Sequence, residues 1–256
     1  MFERERHLVS VVDDDPSVRE ATTSLLRANG FAAQSFSSAV EFLNSTDLKN
    51  TECLVLDLRM PGMSGLELQC YLAAEHRPIP IVIVTAHGTT ESREQARRAG
   101  AIDFLEKPVS EGALLSAVRN ALERTQNAEK TKLAEGFLTA LRARDWNLLR
   151  SLMTENVIWS LPGQSLISDD AQGVDAVVKR AQTIVSYGLT FTLKHILVGK
   201  NGVALSLHNT ARRGDLILDE HLATVFGLRG QKIATISTYL SDVEMVNTFF
   251  VSLKTA

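Results

Sequence analysis

The first half of the chain alternates short runs of β-branched residues with amphipathic segments, which strongly constrains its fold. Five apolar runs are predicted as strands: His7–Val12, Phe31–Ser35, Cys53–Asp57, Ile79–Val84 and Ile102–Leu105. Helical patterns follow these runs at residues 17–29, 39–47, 65–76, 90–99 and 110–123. Strands that alternate with helices pair in parallel through crossover connections. The sequence therefore predicts an α/β fold with a five-stranded, doubly wound parallel sheet.

Polar residues stand where these strands end. The acidic run 13–15 follows the first strand, and Asp57 ends the third. Thr85 ends the fourth strand, and Lys107 follows the fifth. Ligands of such sheets bind at the carboxyl ends of the strands. Each residue alone is as typical of a turn, a helix cap or a loop. Together they indicate a site in which carboxylates bind Mg²⁺ and one of them accepts a phosphoryl group.

Four segments of this half resemble the receiver domain of response regulators, and they are closest to the FixJ-like subfamily. The segments are Val11–Arg19, Leu54–Gly65, Thr85–Gly88 and Gly100–Pro108. The resemblance covers about half of the chain. It implies a flavodoxin-like receiver fold that takes a phosphoryl group from the phosphohistidine of a sensor histidine kinase.

The resemblance assigns the phosphoryl chemistry to individual residues. It implies that Asp57 is the phospho-acceptor and that Thr85 and Lys107 contact the phosphoryl group. Phe104 takes the position of a switch aromatic, which turns inward when Thr85 moves toward the phosphoryl group. The Lys107-Pro108 peptide bond corresponds to one that is cis in this family.

The resemblance also assigns a Mg²⁺ site. It implies that Asp13, Asp14, Asp57 and the backbone carbonyl of Arg59 bind the ion. Of the first two, Asp14 is the expected direct ligand. Asp15 is expected to cap a helix rather than to bind the metal.

Charge is unevenly distributed between the two halves. Residues 1–124 carry 13 Lys and Arg against 18 Asp and Glu, and the remaining residues carry 14 against 12. Neither half has the basic excess that is typical of nucleic-acid-binding domains. FixJ-like receivers usually precede a helix-turn-helix domain, but no such pattern follows here. We therefore expect no nucleic-acid partner.

Cysteine usage and hydropathy predict a reducing, aqueous compartment. Cys53 and Cys70 fit no metal or redox spacing and are expected to be free thiols. Residues 1–6 are charged and lack the apolar core of a signal peptide. No apolar run is long enough to span a bilayer. These features predict a cytoplasmic protein without a membrane partner.

A polar segment separates the two halves. We predict a receiver domain at residues 1–124, a linker at 125–132 and a second domain at 133–256. The linker is either a short flexible joint or a helical extension of the preceding helix, and its composition favours the helix.

The second domain begins with helical patterns and ends with strands. Residues 133–152 form one helix or a broken pair, and a second helix is predicted at 173–187. A short strand at 156–161 lies between them, and four strands follow at 189–198, 203–213, 216–228 and 232–240. Turn residues between these last strands indicate hairpins. The order predicts an α+β domain.

The second half resembles the SnoaL-like, nuclear-transport-factor-like family. The segments that carry the resemblance are Ala143–Leu149, Val157–Trp159 and His221–Tyr239, followed by Asp242. The resemblance implies a cone-shaped α+β fold with a curved antiparallel sheet. This family includes isomerases, dehydratases, epoxide hydrolases and non-catalytic binding modules, so the fold leaves the activity open.

The expected hairpin register places two polar residues on an apolar face. A two-residue loop at Gly214-Asp215 pairs Asn209 with Glu220 on the face that meets the helices. Both residues are therefore candidates to line a pocket, and Tyr239 is a third candidate.

The same register places histidines on the opposite face. It pairs His208 with His221, and a two-residue loop at 201–202 would add His195 to a row of three. The outer two would lie ~10 Å apart, which is unfavourable for a shared zinc ion. A wet surface or a dimer surface is the favoured interpretation.

Three functions of the second domain remain open. The favoured one is a non-DNA-binding output, controlled by phosphorylation, that binds a small molecule or partner protein or forms a homodimer. The second is a phosphorylation-gated isomerase, cyclase or hydrolase of a small organic molecule. The third is a phosphate-sink connector. A pocket with an ionisable residue in apolar surroundings would favour the enzyme.

Overall fold

The computed structural model of the protein describes residues 6–77, 79–86 and 88–251. The chain divides between Thr125 and Gln126 into two compact units. The first contains a five-stranded sheet and the second a six-stranded sheet. Both cysteines are free thiols, as the sequence predicts.

The first unit is built on a parallel sheet with strand order β2-β1-β3-β4-β5. The strands are β1 (Leu8–Val12), β2 (Ala32–Phe36), β3 (Cys53–Leu56), β4 (Ile81–Thr85) and β5 (Asp103–Glu106). The helices are α1 (Pro16–Ala28), α2 (Ala39–Leu43), α3 (Gly65–Ala74), α4 (Thr90–Arg98) and the first part of α5 (Glu111–Ala143), whose residues from Gln126 onward belong to the second unit. This order confirms the predicted doubly wound fold.

The side chains of the central strand β3 alternate between two apolar layers. Cys53 and Val55 pack with residues of α1 and α5, whereas Leu54 and Leu56 pack with residues of α2, α3 and α4. A strand buried on both faces is apolar throughout. Asp57 is the first polar residue after this strand, so the fold delivers its carboxylate to the edge of the sheet.

Helix boundaries follow local side-chain chemistry. The side chain of Asp15 accepts hydrogen bonds from the backbone N–H groups of Ser17 and Val18, so Asp15 caps α1 as predicted. α2 is shorter than predicted because Asn44 and Ser45 follow its last turn, and such residues compete with helical hydrogen bonds. A 3-10 helix at Thr46–Lys49 continues the chain.

Residues 125–132 lie within α5. Of the two predicted alternatives for the linker, a flexible joint and a helical extension, the structure has the helix. α5 ends at Ala143, and the backbone of Arg144 adopts a φ of 56°. α6 (Trp146–Ser151) then begins, with the side chain of Asp145 as its cap. The helical pattern at 133–152 therefore corresponds to two helices separated by a short break. Among the described residues, no helix is both long and apolar enough to cross a membrane.

The second unit contains a mixed sheet with strand order β7-β6-β11-β10-β9-β8. The strands are β6 (Met153–Leu161), β7 (Asp169–Gln172), β8 (Thr190–Gly199), β9 (Gly202–Arg213), β10 (Leu216–Arg229) and β11 (Lys232–Leu240). α7 (Val174–Ser186) packs against β6, and α8 (Val243–Phe249) packs against β10. The α+β class and the four-strand antiparallel meander are confirmed. β6 pairs in parallel with β11, and β7 and α8 were not predicted.

The predicted register between β9 and β10 is confirmed. Arg213 pairs with Leu216 across a two-residue turn, and His208 consequently pairs with His221. Because side chains alternate along a strand, this register fixes which residues face the helices.

The predicted register between β8 and β9 is wrong. The turn comprises residues 200–201, and Gly202 already lies in β9. A side chain at Gly202 would meet the Phe226 carbonyl oxygen at 2.2 Å, so glycine is required in the strand itself. A β-bulge in β8 adds a further shift, and His195 faces Ser206. The predicted row of three histidines therefore does not form.

Candidate functional site

The carboxyl edge of the parallel sheet brings together four of the predicted site residues. Asp13 and Asp57 follow β1 and β3, and the Asp57 backbone N–H donates to the Val12 carbonyl at 2.9 Å. Thr85 is the last residue of β4 and is buried. Lys107 follows β5, and its Nζ lies 2.5 Å from Asp13 Oδ2 and 3.8 Å from Asp57 Oδ2. The peptide bond after Lys107 is cis.

Three carboxylates form an oxygen cluster at this edge. Asp13, Asp14 and Asp57 each offer one oxygen, and these oxygens lie within 4.8 Å of one another. Asp13 and Asp57 are buried whereas Asp14 is exposed, so the cluster opens toward solvent. The backbone N–H of Asp15 holds Oδ1 of Asp13 at 2.9 Å. An all-oxygen set of this kind suits a hard divalent cation.

The surroundings of Asp57 raise the pKa of its carboxyl group, although several contacts act in the opposite direction. Burial raises the pKa of its carboxyl group, and the carboxylate of Asp13 raises it as well. The Lys107 ammonium, a hydrogen bond from the Thr85 hydroxyl and the backbone N–H of Leu58 lower the pKa. The Leu58 N–H donates to Oδ1 at 2.9 Å. These partners therefore only partly offset the rise in pKa that burial causes. A bound cation would lower the pKa of Asp57 further.

The loop that carries Asp57 is held by close backbone packing at Gly65. The Gly65 N–H donates to the Leu58 carbonyl at 2.9 Å. A Cβ atom at Gly65 would lie 2.1 Å from the carbonyl oxygen of Asp57. Arg59, whose carbonyl is a predicted metal ligand, is exposed in this loop. The position of the phospho-acceptor candidate therefore depends on a residue without a side chain.

Phe104 lies in β5 with its ring turned into the protein. The ring is buried, and the guanidinium carbon of Arg93 lies 4.5 Å from its centroid. A Cβ atom at Gly88 would approach the ring carbon Cε1 to 2.8 Å, so Gly88 leaves room for the inward ring. His87, which belongs to the predicted motif at this edge, lies outside the described residues.

The second unit has a cavity of about 60 Å³ between its helices and the apolar face of its sheet. The walls are mostly apolar and include Phe137 and Leu141 of α5. Asn209 and Glu220 pair directly across β9 and β10, and both line the cavity. They are 6% and 1% exposed, which is unusual for these residue types.

One carboxylate oxygen of Glu220 is held by hydrogen bonds, and the other has none among the described residues. Its Oε1 accepts hydrogen bonds from the backbone N–H groups of Ser241 at 2.5 Å and Asp242 at 3.2 Å, and from the Ser241 hydroxyl at 3.1 Å. Oε2 and Asn209 Oδ1 are buried and have no hydrogen-bond partner among the described residues. Such an acceptor costs about 1–3 kcal/mol. Both oxygens are therefore available to a ligand that brings a donor.

Tyr239 does not line this cavity, which corrects its sequence-based assignment. Its side chain is 62% exposed. The neighbouring residues Thr238 and Leu240 line the cavity instead. Because side chains alternate along β11, Tyr239 lies on the outer face of the sheet.

Two further residues were not predicted: Thr238 lines the cavity, and Arg180 holds the backbone of the lining residue Trp159. Thr238 accepts a hydrogen bond from Trp159 Nε1 at 3.0 Å. Arg180 is buried on α7 and donates to the backbone carbonyls of Trp159, Ser168 and Asp169. Burial lowers the pKa of Arg180. An arginine within the apolar stripe of α7 was the signal that could have identified it.

Comparison with known proteins finds relatives of both halves. The family model for the response regulator receiver domain matches residues 9–119, and that for the SnoaL-like domain matches residues 134–236. The response regulator protein TmoT of Ectopseudomonas mendocina is 39% identical over 57% of this chain and 68% of its own length. The transcriptional regulatory protein FixJ of Azorhizobium caulinodans is 41% identical over 46% of this chain and 56% of its own. The crystal structure of FixJ-N is 39% identical, covers 47% of this chain and 96% of that chain, and has a TM-score of 0.44.

The two matched regions do not overlap, and each covers most of one of the two sheets. The chain spans between 56% and 68% of the length of the two curated relatives named above. The chain belongs to the response regulators of two-component systems, with a FixJ-like receiver domain joined to a SnoaL-like domain.

Proposed function

We propose that Asp57 accepts a phosphoryl group from a sensor histidine kinase in the cytoplasm. The observation that carries this proposal is the placement of the Asp57 carboxylate beside Lys107, Thr85 and a second buried carboxylate. The phosphorus–nitrogen bond of the phosphohistidine breaks as the bond from an Asp57 oxygen to phosphorus forms, and the histidine nitrogen keeps the electron pair. Lys107 and Thr85 then offset charge on the phosphoryl oxygens.

Asp13, Asp14, Asp57 and the carbonyl of Arg59 would hold Mg²⁺, which neutralises charge on the transferring group when bound. Lys107 contacts Asp13 at 2.5 Å, so its ammonium must turn toward the new dianion. Thr85 moves in the same direction. Phe104 packs at the same edge of the sheet, and its ring position is the switch element that this movement biases.

Replacement of one acid tests the proposed metal site. We expect Asp14→Asn to raise the Mg²⁺ concentration needed for half-maximal labelling by acetyl phosphate at least tenfold, because an exposed anionic ligand is lost. Labelling is measured over a Mg²⁺ titration. Asp47→Asn, in the 3-10 helix, is the matched control and should titrate like wild type. An unchanged Mg²⁺ dependence in Asp14→Asn would contradict the assignment.

We propose that the SnoaL-like domain is a non-DNA-binding output that binds a small molecule. Two buried acceptors in a mostly apolar cavity support a ligand with an apolar body and an N–H or O–H donor. A volume of about 60 Å³ suits a very small molecule or the head group of a larger one. Binding of a partner protein, homodimerisation and a phosphate-sink role are the alternatives.

α5 supplies residues to both units. The helix is continuous from Glu111 to Ala143. Its first turns supply Leu114 and Val118 to the core of the first unit, and its last turns supply Phe137 and Leu141 to the cavity wall.

The proposed ligand class is tested with two small molecules of nearly equal shape. Pyrrole carries an N–H donor, whereas furan carries only an acceptor. We expect the protein to bind pyrrole at least ~10-fold more tightly, as measured by ligand-observed NMR, because a donor that pairs with a buried, unpartnered acceptor removes a cost of about 1–3 kcal/mol. Glu220→Gln should reduce this preference, and Glu155→Gln, at an exposed position on β6, should retain it. Equal binding of the two molecules by wild type contradicts the proposal.

A catalytic role is the second candidate because Glu220 meets the structural requirement for a general base. One oxygen is anchored by three donors, and the other faces an apolar cavity. A positioned base contributes about 10²–10⁴-fold to proton abstraction. Deuterium exchange at the α-carbon of a small ketone such as acetone measures this. Acceleration by wild type that is lost in Glu220→Gln favours the enzyme, and no acceleration favours the binding module.

A further inference from the structure

The outer face of the second sheet carries a cluster of metal-binding side chains that the proposed function does not use. His208 lies on β9, and Asp219 and His221 lie on β10. Each offers one ligand atom, and these atoms lie within 4.8 Å of one another. The cluster is on the opposite face of the sheet from Glu220.

Strand register brings these residues together. His208 and His221 are directly paired across the two strands, and their rings lie parallel with centroids 4.2 Å apart. Asp219 stands two residues before His221, so it shares the same face. Its Oδ1 lies 2.5 Å from His208 Nε2. The backbone therefore fixes a triangle of donors without requiring a loop to move.

The residue that pairs with Asp219 and the residue that pairs with His208 from β8 are neutral. Thr210 pairs with Asp219, and Thr192 pairs with His208 from the other side. His208 is partly exposed, and Asp219 and His221 are exposed. The open side is thus free for a solvent molecule as a further ligand.

We propose that His208, Asp219 and His221 bind a divalent transition-metal ion such as Zn²⁺. Two imidazoles and one carboxylate form a donor set that zinc prefers, and tetrahedral coordination at ~2.1 Å requires donors ~3.4 Å apart. Asp219 Oδ1 lies 2.5 Å from His208 Nε2, and all three donor atoms lie within 4.8 Å of one another, so side-chain rotations suffice to reach that separation. Mg²⁺ prefers all-oxygen ligands, which separates this site chemically from the carboxylate cluster of the receiver.

Zinc titration of the full-length protein tests the proposal. Excess Mg²⁺ occupies the receiver carboxylates, and a chromophoric chelator competes for Zn²⁺. We expect wild type to bind one equivalent of Zn²⁺. His208→Gln and His221→Gln should each weaken that binding by ~100-fold or more, because loss of even outer-shell partners costs 10–100-fold. Co²⁺ should give the visible absorption of a low-symmetry nitrogen-ligated site in wild type only.

Matched variants control for other metal sites and for folding. His195→Gln removes a histidine from β8 of the same sheet but outside the triangle, and Asp14→Asn removes a receiver carboxylate. Both should bind Zn²⁺ like wild type. Circular dichroism checks that each variant is folded. The proposal is overturned when the double variant His208→Gln/His221→Gln binds Zn²⁺ as tightly as wild type, or when wild type binds less than one equivalent. Neither result bears on phosphorylation at Asp57.

Discussion

Asp57→Asn is expected to abolish labelling of the protein by acetyl phosphate, with at least a ~100-fold loss of phosphorylated product. An amide oxygen carries no full negative charge, so it does not attack phosphorus effectively. The variant preserves the shape of the buried side chain and its hydrogen bond from Leu58. Labelling is measured by phosphate-affinity electrophoresis or with radioactive donor.

Two controls sharpen this result. Asp47→Asn makes the same chemical change outside the site and should be labelled like wild type. Circular dichroism should show that Asp57→Asn is folded, because the substitution removes a buried charge next to Asp13. Wild-type labelling of Asp57→Asn would place the acceptor elsewhere, with Asp13 and Asp14 as the alternative carboxylates of the cluster.

Gly65→Ala is expected to lower the free energy of unfolding of the receiver by about 3 kcal/mol, at the upper end of typical overpacking costs. The added methyl group would lie 2.1 Å from the Asp57 carbonyl oxygen and 3.0 Å from the Leu58 Cα. These contacts are backbone atoms, so relief requires the loop itself to move. We expect slower labelling by acetyl phosphate as well, because this loop carries the acceptor. Urea denaturation and labelling rates measure the two effects.

Gly112→Ala is the matched control for this prediction. A Cβ atom at Gly112 would meet nothing within 4 Å, and the residue lies near the start of α5. Alanine is favoured over glycine in helices by up to about 1 kcal/mol, so this variant should be as stable as wild type or more stable. Unfolding of both variants at the same urea concentration would contradict the proposed packing at Gly65.

The local pattern of the sequence predicted much of the second sheet. A glycine-containing two-residue turn fixed the register of β9 and β10, and that register placed Asn209 and Glu220 on the helix-facing side. The same reasoning failed for β8 because the turn occupies residues 200–201 and Gly202 already lies in β9, which shifts the pairing of His195 to Ser206. A β-bulge between Leu193 and His195 shifts the rest of β8 further, and the alternation of apolar residues does not reveal it. Tyr239 was proposed as a pocket residue without a predicted register for β11. The alternation of side chains along that strand places it on the outer face of the sheet.

Other features depend on contacts between distant parts of the chain. β7 is a polar four-residue strand, and only its pairing with β6 defines it. The histidine row was predicted from His195, but Asp219 completes the cluster that forms. Asp219 shares the outer face with His221 because it stands two residues away on β10, yet its approach to His208 depends on side-chain conformation.

The sequence by itself determined the receiver fold, the strand ends that carry its acidic and basic residues, and the family of each half. It did so because parallel strands buried on both faces must be apolar and because strand ends converge at one edge. The tertiary structure alone decided that Glu220 keeps one anchored and one free oxygen, that Tyr239 faces outward and that His208, Asp219 and His221 lie close together. These features depend on which strands become neighbours, and short-range hydrophobic patterns do not encode that choice.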